Sequence, residues 1–309
     1  MSQEPLRIAT RGSKLALIQA HLVVDRLAPL VAPRPCHIVE VKTSGDRLAW
    51  ASLRRIGGQG VFTREVQQAL LTRRADLAVH SLKDLPTESV AGLTLAAVPE
   101  RASAADVLVS MRVRRLADIP RGGVVATSSV RRRAQLLHLR PDLHVVEVRG
   151  NVETRLRKLR EQDWDGLLLA EAGLVRLGLS EHIAERLDPA QFLPAVGQGA
   201  LAVECRTDQP WLVDLVRQLD HAPSRQAVTA ERALLRALGG GCSLPVAAWA
   251  RYQDNQLVLD GAILSPDGRQ RLDAQVRGVP EEAEKLGLEL ARRLLDAGAE
   301  ALLVHYRST

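Results

Sequence analysis

Thr127-Ser128-Ser129-Val130-Arg131-Arg132-Arg133 sets three hydroxyl residues directly ahead of three arginines. If a helix starts at Ser129, its free N–H groups, the hydroxyls of Thr127 and Ser129, and Arg131 and Arg132 one turn on make an anion site. Val148-Arg149-Gly150-Asn151, running on to Arg155, repeats that arrangement, and Arg11 with Ser13 forms a third copy. Arg176, on a short helix after the apolar run Leu167-Leu168-Leu169, is a fourth candidate. For any one segment, a capped helix with a solvated basic face explains the residues equally well. Two such segments close together favour a ligand. Between Arg131 and Arg160 there are eight Arg and one Lys against Asp142, Glu147 and Glu153, so 9 − 3 = +6 sits in this stretch, as large as the formal charge of the whole chain. Arginine's fork suits planar carboxylates, so the expected ligand carries several negative charges.

One acid stands among these cations. In His80-Ser81-Leu82-Lys83-Asp84-Leu85-Pro86, Asp84 beside Lys83 reads as a turn pair, yet the segment follows a strand as the arginine segments do. An anion there can stabilise positive charge developing on a substrate. Cys242 follows three glycines, Gly239 to Gly241. A helix cap and a small buried thiol would account for it, but a cap needs only one glycine. Three give close backbone approach for something bulky at the sulfur. Cys36 and Cys205 have no such surroundings and receive no role.

These residues need strands and helices to bring them together. Leu6 to Thr10 reads as a strand, and Ser13 caps a helix whose apolar positions Leu15, Ile18, Leu22, Val23 and Leu27 recur at helical spacing. Strands follow at 37–43, 75–80 and 93–98, with a helix over 62–73 and a long loop over 44–60. The alternation continues through strands at 124–126, 143–148 and 167–169 and helices from Ser129 and Asn151. It predicts parallel sheets with helices on both faces, ligands binding at the carboxyl ends of the strands, and one crevice for all four anion sites. After about residue 220 the pattern changes to a helix at 224–238, strands at 246–250, 257–263 and 271–276, and a helix at 281–297. Ser265-Pro266-Asp267-Gly268 supplies a hairpin turn. This last third reads as a small α+β domain.

Composition narrows the function. At 309 residues, two or three domains are expected. Aromatic residues make up only 3%, too few for the stacking platforms of single-stranded nucleic-acid binding. Three widely spaced cysteines without a Cys/His metal pattern predict reduced thiols, no metal site and a cytoplasmic location. The N-terminal residues lack a secretory pattern, and no stretch reaches 18 uninterrupted apolar residues, so no membrane association is expected.

Seven segments, in order, resemble the porphobilinogen deaminase (hydroxymethylbilane synthase) family: I-A-T-R-G-S-K-L-A-L (8–17), G-G-Q-G-V-F (57–62), A-D-L-A-V-H-S-L-K-D-L-P (75–86), T-S-S-V-R-R (127–132), V-R-G-N-V-E-T-R (148–155), L-P-A-V-G-Q-G-A (193–200) and G-G-G-C-S-L-P (239–245). The resemblance implies a cytoplasmic, monomeric enzyme of tetrapyrrole and heme biosynthesis. Its expected fold is two periplasmic-binding-protein-like (type II) α/β domains plus a smaller C-terminal α+β domain. The implied boundaries are 1–99 with 200–217, then 100–199, then 218–309. The family's dipyrromethane cofactor is held covalently, which on this chain implies Cys242. Four porphobilinogen units are added in turn with loss of ammonia, and hydrolysis releases the linear tetrapyrrole hydroxymethylbilane. Carried over by motif, Asp84 is the catalytic residue, and Ser81, Lys83, Thr127, Ser129, Arg131 and Arg132 hold the cofactor's carboxylates. Arg11, Ser13, Gln19, Arg149, Arg155, Arg176 and Gln198 bind substrate or the lengthening chain. Phe62 follows a segment resembling the family's mobile cover. Gln59 and Ser103-Ala104-Ala105-Asp106 depart from the family's usual basic residue and Asp-Pro-Arg-Asp. The competing reading is a non-catalytic polycarboxylate-binding protein, which leaves Asp84 and Cys242 without a task.

Overall fold

The structure is a computed structural model describing residues 4–44, 60–240 and 244–307. Cys242, Gln59 and nearly all of the expected 44–60 loop lie outside the described residues. The chain divides into two compact units, residues 1–102 with 200–225 and residues 103–199 with 226–309.

The first unit is built on a sheet of β1 (Leu6–Arg11), β2 (Cys36–Val41), β3 (Leu77–Ser81), β4 (Leu93–Ala97) and β10 (Leu201–Arg206), in the order β2-β1-β3-β10-β4. Helix α1 (Lys14–Val31) begins where Ser13 accepts a hydrogen bond from Ala16 N at 3.3 Å. Its Ala20, Val23 and Leu27 pack on Leu6, Ile8, Leu77 and Val79. Helix α2 (Arg64–Leu71) covers the other face, where Val66, Ala69 and Leu70 meet Ala9 and Ala78. Alternation along β1 and β3 sends successive side chains to the two helix layers. Helix α6 (Pro210–Arg217) starts at a proline, which suits a first-turn position.

The second unit repeats this topology with β5 (Asp106–Val109), β6 (Val124–Ala126), β7 (His144–Val146), β8 (Gly166–Ala170) and β9 (Ile183–Arg186), ordered β7-β6-β8-β5-β9. Helices α3 (Val130–Leu139), α4 (Val152–Glu161) and α5 (Glu171–Arg176) accompany it. Here the structure corrects the expectation of parallel sheets. Four strands of each sheet run in one direction and one is reversed: β10 runs antiparallel to β3 and β4, and β5 runs antiparallel to β8 and β9. Parallel pairing needs a crossover connection. Among the described residues no α-helix separates β4 from β5 or β9 from β10, the two places where the chain passes from one sheet to the other. At the first of these, Ser103 donates to the Glu171 carboxylate, which also pairs with Arg186 at 2.7 Å.

The rest of the second unit is the smaller α+β part: an antiparallel sheet of β11 (Val246–Gln253), β12 (Gln256–Leu264) and β13 (Arg271–Gly278), with α7 (Ala222–Ala237), α8 (Ala283–Asp296) and α9 (Ala299–Arg307). Leu234, Leu259, Ile263, Leu290 and Leu303, all fully buried, form its centre. The β12–β13 hairpin tip rests on α3. Gly268 there has φ +72°, and His138 Nδ1 donates to its carbonyl at 2.8 Å. Ala134 of α3 shares a cluster with Leu193, Ala247, Ala262 and Leu264. The helix carrying Arg131 and Arg132 is therefore braced by the C-terminal sheet. Among the described residues no helix is long and apolar enough to cross a membrane.

Candidate active site

In the first unit the predicted residues gather at the carboxyl end of β1 and β3, which run parallel with Ala9 beside Ala78. Ser81 ends β3, and a single 3-10 turn, Leu82–Asp84, follows, closed by Leu85 N to Leu82 O at 3.1 Å. Leu82 N donates to Ala200 O at 3.0 Å, which anchors the turn to the start of β10. A small pocket here is lined by Thr10, Arg11, Gln19, Phe62, Ser81 and Asp84. The Arg11 guanidinium lies 4.2 Å above the Phe62 ring, a cation–π contact that fixes its plane. Gln19 is buried and accepts from Ser81 Oγ at 3.0 Å, so it orients the serine. The Ser13 hydroxyl is used in capping α1. Half-buried Lys83 lies within the 3-10 turn beside Asp84.

Directly beneath is a group that the sequence did not single out. His80, buried on the α2 side, pairs with buried Glu204 at 3.0 Å, and Gln67 of α2 donates to both Glu204 oxygens at 3.0 and 3.2 Å. Only a histidine and a glutamate inside otherwise apolar strands signal this network.

The second unit holds the arginines, again at the carboxyl ends of parallel strands. Ser129 caps α3, accepting from Arg132 N at 3.4 Å, and Thr127 Oγ1 accepts from Ser129 N at 3.2 Å. Arg131 and Arg132 are not the solvated cations their helix position implies; they are 3% and 6% exposed. Both bind Asp106, which has no exposure: Arg131 Nη1 donates to Oδ2 at 2.6 Å and Arg132 Nε to Oδ1 at 2.9 Å. Burial by itself raises the Asp106 pKa, but the two arginine charges and the hydrogen bonds from Arg131 and Gln198 outweigh it and hold the carboxyl at about 2. Two guanidiniums against one carboxylate leave one positive charge in a buried place. Arg131 Nε is also buried with no hydrogen-bond partner among the described residues. A ligand carboxylate matches both deficits.

Gln198, called from sequence as a substrate ligand, is 1% exposed. Its Nε2 donates to Ala104 O at 2.7 Å and Asp106 Oδ1 at 2.8 Å, and its Oε1 accepts from Arg132 at 3.4 Å. Its amide is engaged with the protein on every side. Arg176, at the end of α5, donates to Gly199 O at 2.7 Å, and burial pulls its pKa down. Asn151 caps α4, accepting from Thr154 N at 2.9 Å. Gly150 before it has φ +113°, and a Cβ there would lie 2.6 Å from Thr154, so the turn requires glycine. Arg155 Nε donates to Gly150 O at 2.8 Å, and Arg149 pairs with Glu147.

Asp106 itself was missed from sequence; the signal was an acid opening the apolar strand D-V-L-V. Cys205 is buried, and burial pushes its thiol up to about 11, so it is no nucleophile. Among the described residues no group of three His, Cys, Asp or Glu side chains could hold a metal ion.

Residues 6–214 match the family profile described as porphobilinogen deaminase, dipyromethane cofactor binding domain, and residues 225–296 match the C-terminal domain of porphobilinogen deaminase. The porphobilinogen deaminase of Desulforudis audaxviator is 50% identical over 302 residues, 97% of each chain. That of Thermus thermophilus is 49% identical over 301 residues, 97% of this chain and 98% of its own. Among solved structures, a periplasmic substrate-binding protein of an ABC transporter from Coxiella burnetii is 16% identical with a TM-score of 0.44, over 74% of this chain and 96% of its own.

Proposed function

The chain belongs to the porphobilinogen deaminase family, and from that premise we propose which of its residues hold the cofactor, bind the substrate and assist the reaction. As in that family, the chain is a dipyrromethane-dependent transferase that polymerises porphobilinogen to hydroxymethylbilane, and the polycarboxylate-binding alternative is not supported. The dipyrromethane, when bound, supplies the pyrrole end to which new units are joined.

Arg131, Arg132, Thr127, Ser129, Ser81 and Lys83 hold the cofactor's carboxylates. The observation that carries this is the buried Nε of Arg131, left without a partner beside an under-neutralised arginine pair. A planar carboxylate can take that donor side-on and supply the missing negative charge. Cys242 carries the thioether, since Cys205 is buried with a raised pKa and Cys36 opens β2, at the opposite strand end from Arg11. Arg11, held over Phe62, and Arg149, Arg155 and Arg176 bind the acetate and propionate groups of incoming substrate. Ser13 and Gln19 support Arg11's pocket through the α1 cap and Ser81. Asp84, in the same pocket as Arg11, offsets the positive charge that develops on the pyrrole as ammonia leaves.

The three-domain division at 1–99 with 200–217, 100–199 and 218–309 fits the three sheets. The proposed enzyme is a cytoplasmic monomer, as the family implies, and works without nucleic acid; the scarcity of aromatics supports the last point. Intact-protein mass spectrometry tests the assignment. The purified chain is expected to carry an adduct of dipyrromethane mass that Cys242→Ala lacks. An unmodified, fully active chain would overturn it.

A further inference from the structure

The two arginines, the turn before β10 and the first residue of β5 meet at one carboxylate. Asp106 Oδ2 accepts from Arg131, while Oδ1 accepts from Arg132 and from Gln198 Nε2 at 2.8 Å. Arg131 Nη1 donates also to Leu193 O at 2.6 Å, and Arg132 Nη1 to Leu168 O at 3.1 Å. The Gln198 turn is held in its turn by Gly197 N, which donates to buried Glu231 Oε2 at 2.7 Å. An arginine has four flexible torsions and five donors. Because Nη1 of Arg131 is fixed by Asp106 and Leu193, the orientation of the guanidinium is set before any ligand arrives, and Nε is left as a buried donor without a hydrogen-bond partner among the described residues.

We propose that Asp106 is a positioning residue for the cofactor site: its carboxylate aims Arg131 and Arg132 at the ligand's carboxylates, and Gln198 is part of that support. This rests on the reading of Arg131 and Arg132 as the cofactor's grip. A carboxylate is required because it accepts from three donors at once. An asparagine in its place turns one oxygen into an NH₂ group pointed at a guanidinium, so one arginine loses its anchor. The expected cost follows from misplacement: a shift of about 1 Å in a binding group costs up to about 100-fold.

The test measures the fraction of chains carrying the dipyrromethane adduct after purification, alongside thermal midpoint and KM. Asp106→Asn and Asp106→Ala are expected to carry it on at least about tenfold fewer chains than wild type. Supplying formate during reconstitution of Asp106→Ala with porphobilinogen restores loading, because formate replaces the missing carboxylate, whereas Asp106→Asn leaves no space for it and is not rescued. Wild-type loading in both variants overturns the proposal. So does formate raising the thermal midpoint of Asp106→Ala without raising its loading, the outcome of a purely structural role. Should neither variant fold, Asp106→Glu decides: its charge persists but is displaced by one methylene, so KM rises at least about fivefold, and a wild-type KM refutes positioning. A wild-type chain without adduct refutes instead the assignment of Arg131 and Arg132 to a covalent cofactor, so the two failures are distinguishable.

Discussion

Gly268→Ala probes whether the C-terminal hairpin braces the arginine helix. The hairpin tip has φ +72°, and a Cβ at this position would stand 2.5 Å from His138 N, 2.6 Å from Ala134 O and 2.8 Å from Leu137 C. All three are backbone atoms of α3, so no rotamer change relieves the overlap. Gly178 is the control, with φ +69° and nothing within 4 Å of the point a methyl carbon would occupy. Both substitutions incur the left-handed backbone cost of roughly 1–2 kcal/mol. Gly268→Ala adds an overpacking cost of roughly 1–3 kcal/mol. Its expected loss is thus about 2–5 kcal/mol, against about 1–2 for Gly178→Ala. At about 2–4 °C per kcal/mol, the thermal midpoint of the unit falls by a further 2–12 °C or so beyond the control. Differential scanning calorimetry of the two variants and wild type reads this directly. Equal shifts in the two variants would show that the hairpin tip yields freely, and that α3 is not braced by it.

Two further outcomes follow from the site. Asp84→Asn keeps the fold and the adduct, because Asp84 lies in a turn closed by Leu85 N and Leu82 O. Its kcat falls about 100-fold or more in a steady-state assay, and near-normal turnover would remove Asp84 from the chemistry. Asp106 titrates at about 2 when folded, below its ordinary 3.8, so the stability it contributes is complete above pH 4 and is lost as pH falls through 2. In urea midpoints measured from pH 7 down to pH 2, the advantage of wild type over Asp106→Asn shrinks by roughly 2 kcal/mol, and a gap independent of pH would contradict the pairing.

The local parts of this molecule were readable from sequence. Ser13, Ser129 and Asn151 each cap the expected helix, since a cap depends on residues three positions apart. The strand-end positions of Arg11, Asp84 and Arg176 followed from the same local periodicity. What failed was pairing across the chain. Asp106 lies 25 and 26 residues from its arginines, and Gln67 lies 137 from Glu204; nothing in a short window of sequence links them. Arg131 and Arg132 read as ligand-binding cations, but their burial against a protein carboxylate was not visible. β5 and β10 were not among the strands expected, and their antiparallel pairing is set by where the chain changes sheets and not by their own composition.

The interleaved strand order also sets a timetable. β10 lies between β3 and β4, so the first sheet has a gap between its third strand and its edge strand until residues 201–206 have left the ribosome. The second sheet draws all five strands from residues 106–186 and has no such wait. During synthesis the later-encoded sheet can close first, reversing the usual amino-to-carboxyl order of domain folding. Until then β3 and β4 each expose an unpaired edge, and the turn bearing Asp84 lacks the Ala200 carbonyl that anchors it.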